Sequence, residues 1–220
     1  MKTLILVPTE LELRYLNPRY DLSQRLVGPW SVSQDADLDW ALCGIGPAAA
    51  SVTTSHLIRH LRPDRVVLAG IAGTFAQADL ALGDIYAVTR ETLADTGYAD
   101  ADRFYNLDAM NLPMLPREDR QFGCDFELAD LPGDLPTTQA ITVAAVTNST
   151  HRADALWRTF GAGLENMEGA AVALACALDW VPFSELRAVS NRVGPRDPRS
   201  WQVREPLERL GTWIHENLVP

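Results

Sequence analysis

Short apolar runs alternate with helix-length segments along almost the whole chain, and this alternation limits the fold more than any single motif does. The runs TLILV (3–7), LDWALCGIG (38–46), DRVVLAG (64–70), DIYAVTRE (84–91), ITVAAVTN (141–148) and FSELRAVSN (183–191) read as strands. Between and after them, PAAASVTTSHLIRHL (47–61), HRADALWRTF (151–160), residues 168–179 and QVREPLERLGTWIHENL (202–218) read as helices. Pro47 takes a tolerated early position, and a bend is expected at Pro206. Strands that keep alternating with helices imply an α/β fold, a largely parallel sheet with helices on both faces. The stretch 95–140 breaks the pattern. It is polar and Pro-rich, and a long loop of that kind serves as a lid, a binding loop or a subunit contact. No repeat or low-complexity linker divides the chain, so residues 1–220 are expected to form one domain.

In such folds ligands bind beyond the carboxyl ends of the strands. Those ends carry Thr9–Glu12, Gly44–Gly46, Gly70–Gly73 (GIAG), Thr147–Thr150 (TNST) and Ser190–Asn191. All five are polar or glycine-rich. Neither GIGP nor GIAG is a dinucleotide fingerprint or a P-loop, and each alone is no more than a turn.

Composition removes several partners. There are 19 Lys and Arg against 29 Asp and Glu, a formal net charge of −10. Such a surface repels phosphate backbones and anionic membranes, so neither nucleic acid nor a membrane is an expected partner. The N-terminal apolar run stops at Val7, too short for a secretory leader, and nothing approaches the ~18 apolar residues of a membrane span. Cys43, Cys124 and Cys176 match no metal spacing. An odd count without a leader fits reduced thiols in the cytoplasm, and no metal or cofactor is expected.

One stretch, LENMEGAAVALACAL (164–178), is almost purely small and apolar from Gly169 on, the composition of a buried helix. Yet a carboxylate, Glu168, sits at its mouth beside Met167. A helix N-terminus stabilises a negative charge by ~0.3–1 kcal/mol. A carboxylate is acceptor-only and suits a vicinal diol, which offers two donors.

Together, TELE near the N-terminus, CGIGPAAAS, VLAGIAGTF…LGDI, ENMEGAAVA and LRAVSN resemble the purine nucleoside phosphorylase/nucleosidase family, in the family's order and over nearly the whole chain. Within that family, PTELE, ENMEGAA and VSNRVGPRDPRSWQ look like the futalosine hydrolase branch. The resemblance implies a three-layer α/β/α fold around a central mixed sheet. It implies an N-glycosidic hydrolase that releases hypoxanthine from futalosine, a step of an alternative route to menaquinone. By the same resemblance, Glu168 accepts from the ribose 2′- and 3′-hydroxyls, Met167 packs beneath the sugar, and Asn166 adjoins them. Glu12 activates the attacking water. Glu10 competes for that role if the strand continues, although TELELRYL also reads as a helix start capped by Thr9. Arg187 orients base and water; a charge in the apolar run FSELRAVS is costly to bury unless paired. Thr147, Asn148, Ser149 and Thr150 line the purine, and Ile71, Ala72, Gly73 and Ser190 complete the substrate site. Asn191 stands where adenine-cleaving relatives carry aspartate. Its amide can donate to a 6-oxo group and accept from a protonated N7, which suits hypoxanthine or guanine better than adenine.

In bacterial phosphorylases of the family, an arginine and a serine after the third strand hold phosphate. Leu68 and Ile71 stand at those positions here, and an apolar lining does not offset the desolvation of phosphate. Water is therefore the expected nucleophile, with Arg90 the nearby residue able to bring charge from elsewhere. The aryl carboxylate on the 5′ side of futalosine calls for an aromatic slot closed by a cation. Arg192, Arg196, Arg199 and Trp201 offer one, with Arg196 or Arg199 as the carboxylate's partner. Phe104 and Tyr105 lie in the long loop, which in the family often reaches a neighbouring subunit's site, so a homodimer is implied. Three rivals stand beside this reading. A methylthioadenosine/S-adenosylhomocysteine nucleosidase is disfavoured by Asn191, and a nucleoside phosphorylase by Leu68 and Ile71. A non-catalytic nucleoside-binding protein would be expected to lack Glu12, Glu168 and Arg187.

Overall fold

The computed structural model describes residues 1–21, 25–99, 104–116 and 120–219. In chain order the elements that build the site are β1 (Thr3–Val7), α1 (Glu10–Leu16), β2 (Arg25–Val27), β3 (Trp30–Asp35), β4 (Leu38–Leu42), α2 (Pro47–Leu61), β5 (Arg65–Thr74) and β6 (Ile85–Leu93). Short strands follow: β7 (Gly97–Ala99), β8 (Phe104–Asn106), β9 (Leu115–Pro116), β10 (Gln121–Phe122) and β11 (Asp125–Glu127). The chain closes with β12 (Thr137–Thr142), α3 (Thr150–Phe160), β13 (Leu164–Asn166), α4 (Gly169–Leu178), β14 (Phe183–Arg192) and α5 (Arg204–Leu218).

All five side chains of β1 are buried because the strand lies between β4 and β5, parallel to both, with layers on each face. α2 and α4 cover one face through a core that includes Leu57, Leu68, Val172 and Phe183. α1 and α5 cover the other through Leu13, Leu186, Leu207 and Ile214. The three layers are those expected. The sheet is mixed, as the family resemblance implies, rather than largely parallel, as the alternation of strands and helices alone suggests. β14 runs parallel to β5 but antiparallel to β6, while β12 runs parallel to β6 and β13, and β13 closes back antiparallel onto β5. Five strands, β5, β14, β6, β12 and β13, thus form a closed ring beside the open part of the sheet.

That ring accounts for several departures from the sequence reading. β5 does not stop at Gly70 but runs through GIAG to Thr74, because β14 pairs with it along that length and β13 joins at Gly73 and Thr74. Tertiary pairing outweighs the weak strand preference of Gly and Ala. β12 ends at Thr142, where its pairing with β6 and β13 ends, so residues 143–148 lie beyond the strand. The β2–β3 hairpin and β13 fell in no predicted element. α5 starts at Arg204, which places Pro206 in the first turn, where a missing N–H breaks no helical bond.

Candidate active site

A cavity of ≈ 410 Å³ opens where β1, β5 and β14 end and α4 begins. Of the residues singled out in the sequence, Glu12, Ile71, Ala72, Gly73, Asn166, Met167, Glu168, Ser190, Asn191, Arg196 and Trp201 line it. Arg187 lies fully buried behind the wall.

Glu12 gets there through a helix start. Thr9 caps α1, its hydroxyl accepting the Glu12 N–H at 3.2 Å. The order Thr-x-x-Glu would ordinarily turn the Glu side chain back onto the cap's own N–H. Here Glu12 instead accepts from the Thr9 hydroxyl at 2.5 Å and from the Ile71 N–H at 3.0 Å. Burial pushes the Glu12 carboxyl above its usual range, against the lowering effect of those two bonds and of Arg187. Because the chain is helical here, Glu10 points away, exposed and paired with Arg14 at 2.6 Å. Glu12 is the acid of that pair that faces the cavity.

Glu168 sits in the residue before α4 and is 4% exposed. Its Oε1 accepts the Gly46 N–H at 3.1 Å, and its Oε2 faces Arg187 Nη2 at 3.5 Å. Arg187 makes two further bonds, from Nε to Glu185 Oε1 at 2.6 Å and from Nη1 to the Ile71 carbonyl at 3.0 Å. Its burial, costly on its own, is matched by Glu185, Glu168 and Glu91, which hold it firmly charged. The cationic group thus ties the two walls of the cavity together: Glu168 on one side, and on the other Ile71, whose amide holds Glu12.

Asn191 reaches the cavity through a bulge. β14 pairs Val189 with Ala72 and Asn191 with Gly73, which leaves Ser190 as the extra residue. The Ser190 hydroxyl donates to Asn191 Oδ1 at 2.8 Å, and Asn191 Nδ2 donates to the Arg192 carbonyl at 3.0 Å. One amide hydrogen and one acceptor lone pair remain for a ligand.

The remaining sequence candidates fall elsewhere. Thr147 is buried and gives both its N–H and its hydroxyl to Glu165, at 3.1 and 2.5 Å. Asn148 accepts the Arg196 N–H at 2.8 Å, Ser149 caps α3, and Thr150 starts it. Of this loop it is Val146 that lines the cavity. Arg199 is exposed and pairs with Asp197 at 3.0 Å, whereas Arg196 lies over the Trp201 ring, 5.3 Å from its centroid, at the cavity wall. Arg196 is the basic residue among those lining the cavity. Leu68 is buried in the core, and Arg90 pairs with Asp125 at 2.9 Å outside the cavity. Glu165 lines the cavity with its carboxyl raised by burial. The sequence reading passed over it, and over Glu91 and Glu185, because each stands in a run that reads as ordinary strand or turn.

The profile of the phosphorylase superfamily matches residues 39–216. The chain belongs to the phosphorylase superfamily. Among the superfamily's curated members it is 38% identical to the futalosine hydrolase of Streptomyces coelicolor, over 78% of this chain and 74% of that one. It is 32% identical to the futalosine hydrolase of Thermus thermophilus, over 98% and 95%. At 30%, over 73% and 70%, it matches a 5′-methylthioadenosine/S-adenosylhomocysteine nucleosidase of Aeromonas salmonicida. The fold is that of Helicobacter pylori futalosine hydrolase, with a TM-score of 0.80 at 19% identity over 97% of this chain and 95% of the other. These superfamily relatives share one enzyme class, hydrolysis of N-glycosyl compounds, and this chain falls in it. No helix among the described residues is long and apolar enough to cross a membrane.

Proposed function

We propose that the chain, acting as one catalytic domain, hydrolyses the N-glycosidic bond of futalosine and releases hypoxanthine. The observation that carries this is the join between Glu12 and Glu168. Both carboxylates face one cavity, and Ile71 and Arg187 hold them in register.

Glu168 keeps acceptor capacity for the ribose 2′- and 3′-hydroxyls, with Met167 beneath the sugar and Asn166 beside it. The C1′–N9 bond breaks with its electron pair leaving on the purine. Glu12 takes the proton of the water that attacks C1′. The cationic sugar of the transition state sits among Glu12, Glu165 and Glu168, whose charges favour it. N7 takes a proton from solvent as the bond breaks, and Glu12 later returns the water's proton to solvent; Asn191, braced by Ser190, offers its free amide hydrogen to the 6-oxo group and its free lone pair to the N7–H. Ile71, Ala72 and Gly73 flank the purine, with the Thr147–Thr150 loop behind. Arg196, stacked on Trp201, meets the aryl carboxylate; Arg199 is already paired with Asp197. Water is the nucleophile because Leu68 and Ile71 give phosphate no partner. In the cell this activity belongs to the cytoplasmic futalosine route to menaquinone. In a homodimer, β8 with Phe104 and Tyr105 would complete the partner's site; neither residue lines the cavity of its own chain.

The test is product release from futalosine, inosine and methylthioadenosine, with and without phosphate. Hypoxanthine from futalosine, indifferent to phosphate, is the expected result. A phosphate-dependent rate, or adenine from methylthioadenosine as the preferred product, overturns the reading. An Asn191→Asp variant should move the balance towards methylthioadenosine.

A further inference from the structure

Two fully buried carboxyls, Glu91 on β6 and Glu185 on β14, line no part of the cavity yet both reach Glu168 at one remove. Glu91 accepts the Thr142 hydroxyl at 2.8 Å and, with Oε1, the amide of Asn166. Asn166 Oδ1 in turn accepts the backbone N–H groups of Glu168 at 2.9 Å and Gly169 at 2.8 Å. Glu185 accepts Arg187 Nε, and Arg187 faces the Glu168 carboxylate. Glu91 therefore sets the backbone of Glu168, and Glu185 sets its side chain. The two carboxyls converge at Gly169, where a β-carbon would collide with Glu91 Oε1 and Glu185 Oε2. Among the described residues no donor reaches Glu185 Oε2. Two bare carboxylates this close, out of reach of water, repel. With Glu168 they would also set three negative charges against Arg187.

We propose that Glu91 and Glu185 hold one proton between them, the acid O–H of Glu91 donating to the open Oε2 of Glu185, and that this pair positions Glu168 for the sugar. The shared proton fills the one missing bond and leaves Glu185 ionised for Arg187. Burial, and then the charge of Glu185, push the Glu91 carboxyl well above its usual range; burial raises Glu185 as well, against the pull of Arg187. The charged groups that act on the pair are Arg187 on β14 and Glu168 at the mouth of α4. From β12, β13 and α4 the pair meets Thr142, Asn166 and Gly169, none of which ionises. Protons on such a pair titrate as a unit.

The positioning role rests on the nucleosidase reading; the shared proton does not, and the test separates them. Infrared spectra of the substrate-free protein at pH 7 should show the carbonyl stretch of a protonated carboxylic acid. The difference spectrum of the unsubstituted protein minus Glu91→Gln should contain that band, and Glu12→Gln and Glu165→Gln, which remove the other raised acids, should leave it in place. No such band in that difference spectrum overturns the shared proton. On futalosine, Glu185→Gln should lower kcat/KM about 10- to 100-fold, the range of a charge-assisted hydrogen bond, chiefly through KM. Glu91→Gln keeps a donor towards Glu185 but loses the neutral bond from the Asn166 amide, so its loss should be smaller, about 2- to 10-fold. Its kcat/KM should also hold to higher pH, since the amide cannot lose the proton. Equal losses, or an alkaline limb that does not move, overturn the positioning role. If Glu185→Gln gives no cooperative melt, the Glu91→Gln difference spectrum and pH profile decide. Failure to hydrolyse futalosine, with the infrared result as expected, would sink the functional reading and leave the pair standing.

Discussion

Glu12 and Arg187 are joined through a single residue: Ile71 gives its N–H to the Glu12 carboxylate and its carbonyl to the Arg187 guanidinium, each at 3.0 Å. The cavity-facing acid and the buried cation therefore meet at one residue of β5. β14 pairs with β5 at Ile71 itself, where Ala188 is the partner, while β1 pairs with β5 as far as Leu68.

If Glu12 takes the proton from water, Glu12→Gln should reduce kcat by ~10²–10⁴ with little change in KM, the range of a positioned base. Steady-state rates on futalosine check this. Because burial holds the Glu12 carboxyl above its usual range, the acid limb of kcat/KM should lie above that of an ordinary carboxylate. The Thr9 hydroxyl lowers that value, so Thr9→Ala should raise it further and move the limb to still higher pH. A limb that moves down, or does not move, would assign it to another group.

Gly70 has no room for a side chain. A β-carbon there would lie 2.8 Å from Glu12 Oε1 and 3.1 Å from Arg187 Nη1. Both atoms belong to buried side chains held by hydrogen bonds, Glu12 by the Thr9 hydroxyl and the Ile71 N–H, Arg187 by the Ile71 carbonyl. Gly70→Ala should cost ~1–3 kcal/mol of stability through overpacking. It should also remove most activity by displacing the acid and the cation together. Thermal melts beside the activity assay distinguish this from simple unfolding, because the loss of rate should exceed any loss of folded protein.

The two arginines of the loop after β14 should separate cleanly. Arg196→Ala should raise KM for futalosine by about 10- to 100-fold, the worth of a hydrogen bond to a charged group, and leave inosine cleavage nearly unchanged. Arg199→Ala, which breaks an exposed pair with Asp197, should change either value by less than about threefold. Equal effects would mean that the carboxylate lies elsewhere.

The buried acids also predict how stability depends on pH. Glu91, Glu185, Glu12 and Glu165 all have folded values raised above the unfolded ones, with burial as the leading cause. Their contribution is fully present below the usual value near 4.5. It is lost as pH rises through the folded values, because the unfolded chain releases these protons first. Glu91→Gln should therefore melt with a shallower decline between pH 4.5 and neutrality than the unsubstituted protein. A steeper decline in the variant would contradict the raised value.

Some of this was legible in the residues alone. The apolar runs placed β1, β5 and β14, Pro47 marked one helix start, Thr9 offered another beside the reading of a continued strand, and the carboxylate before Gly169 marked a residue that lines the cavity. Strand and helix periodicity are local properties, as are caps, and short windows of sequence determine them. Other features depended on distant segments meeting. The extension of β5 through GIAG needed β13 and β14 as partners. The choice between Glu10 and Glu12 rested on whether the chain turns helical after Thr9 and brings the second acid to the Ile71 N–H. Arg196 and Arg199 have the same chemistry in sequence; one lies over Trp201 and the other is taken by Asp197. Glu91 and Glu185 stand 94 positions apart, and each reads as an ordinary strand residue. They become a pair because β6 and β14 lie antiparallel, β12 and β13 close the ring, and Gly169 leaves the space between them. Burial, partner and charge at those positions are properties of the closed sheet, and only the tertiary structure decides them.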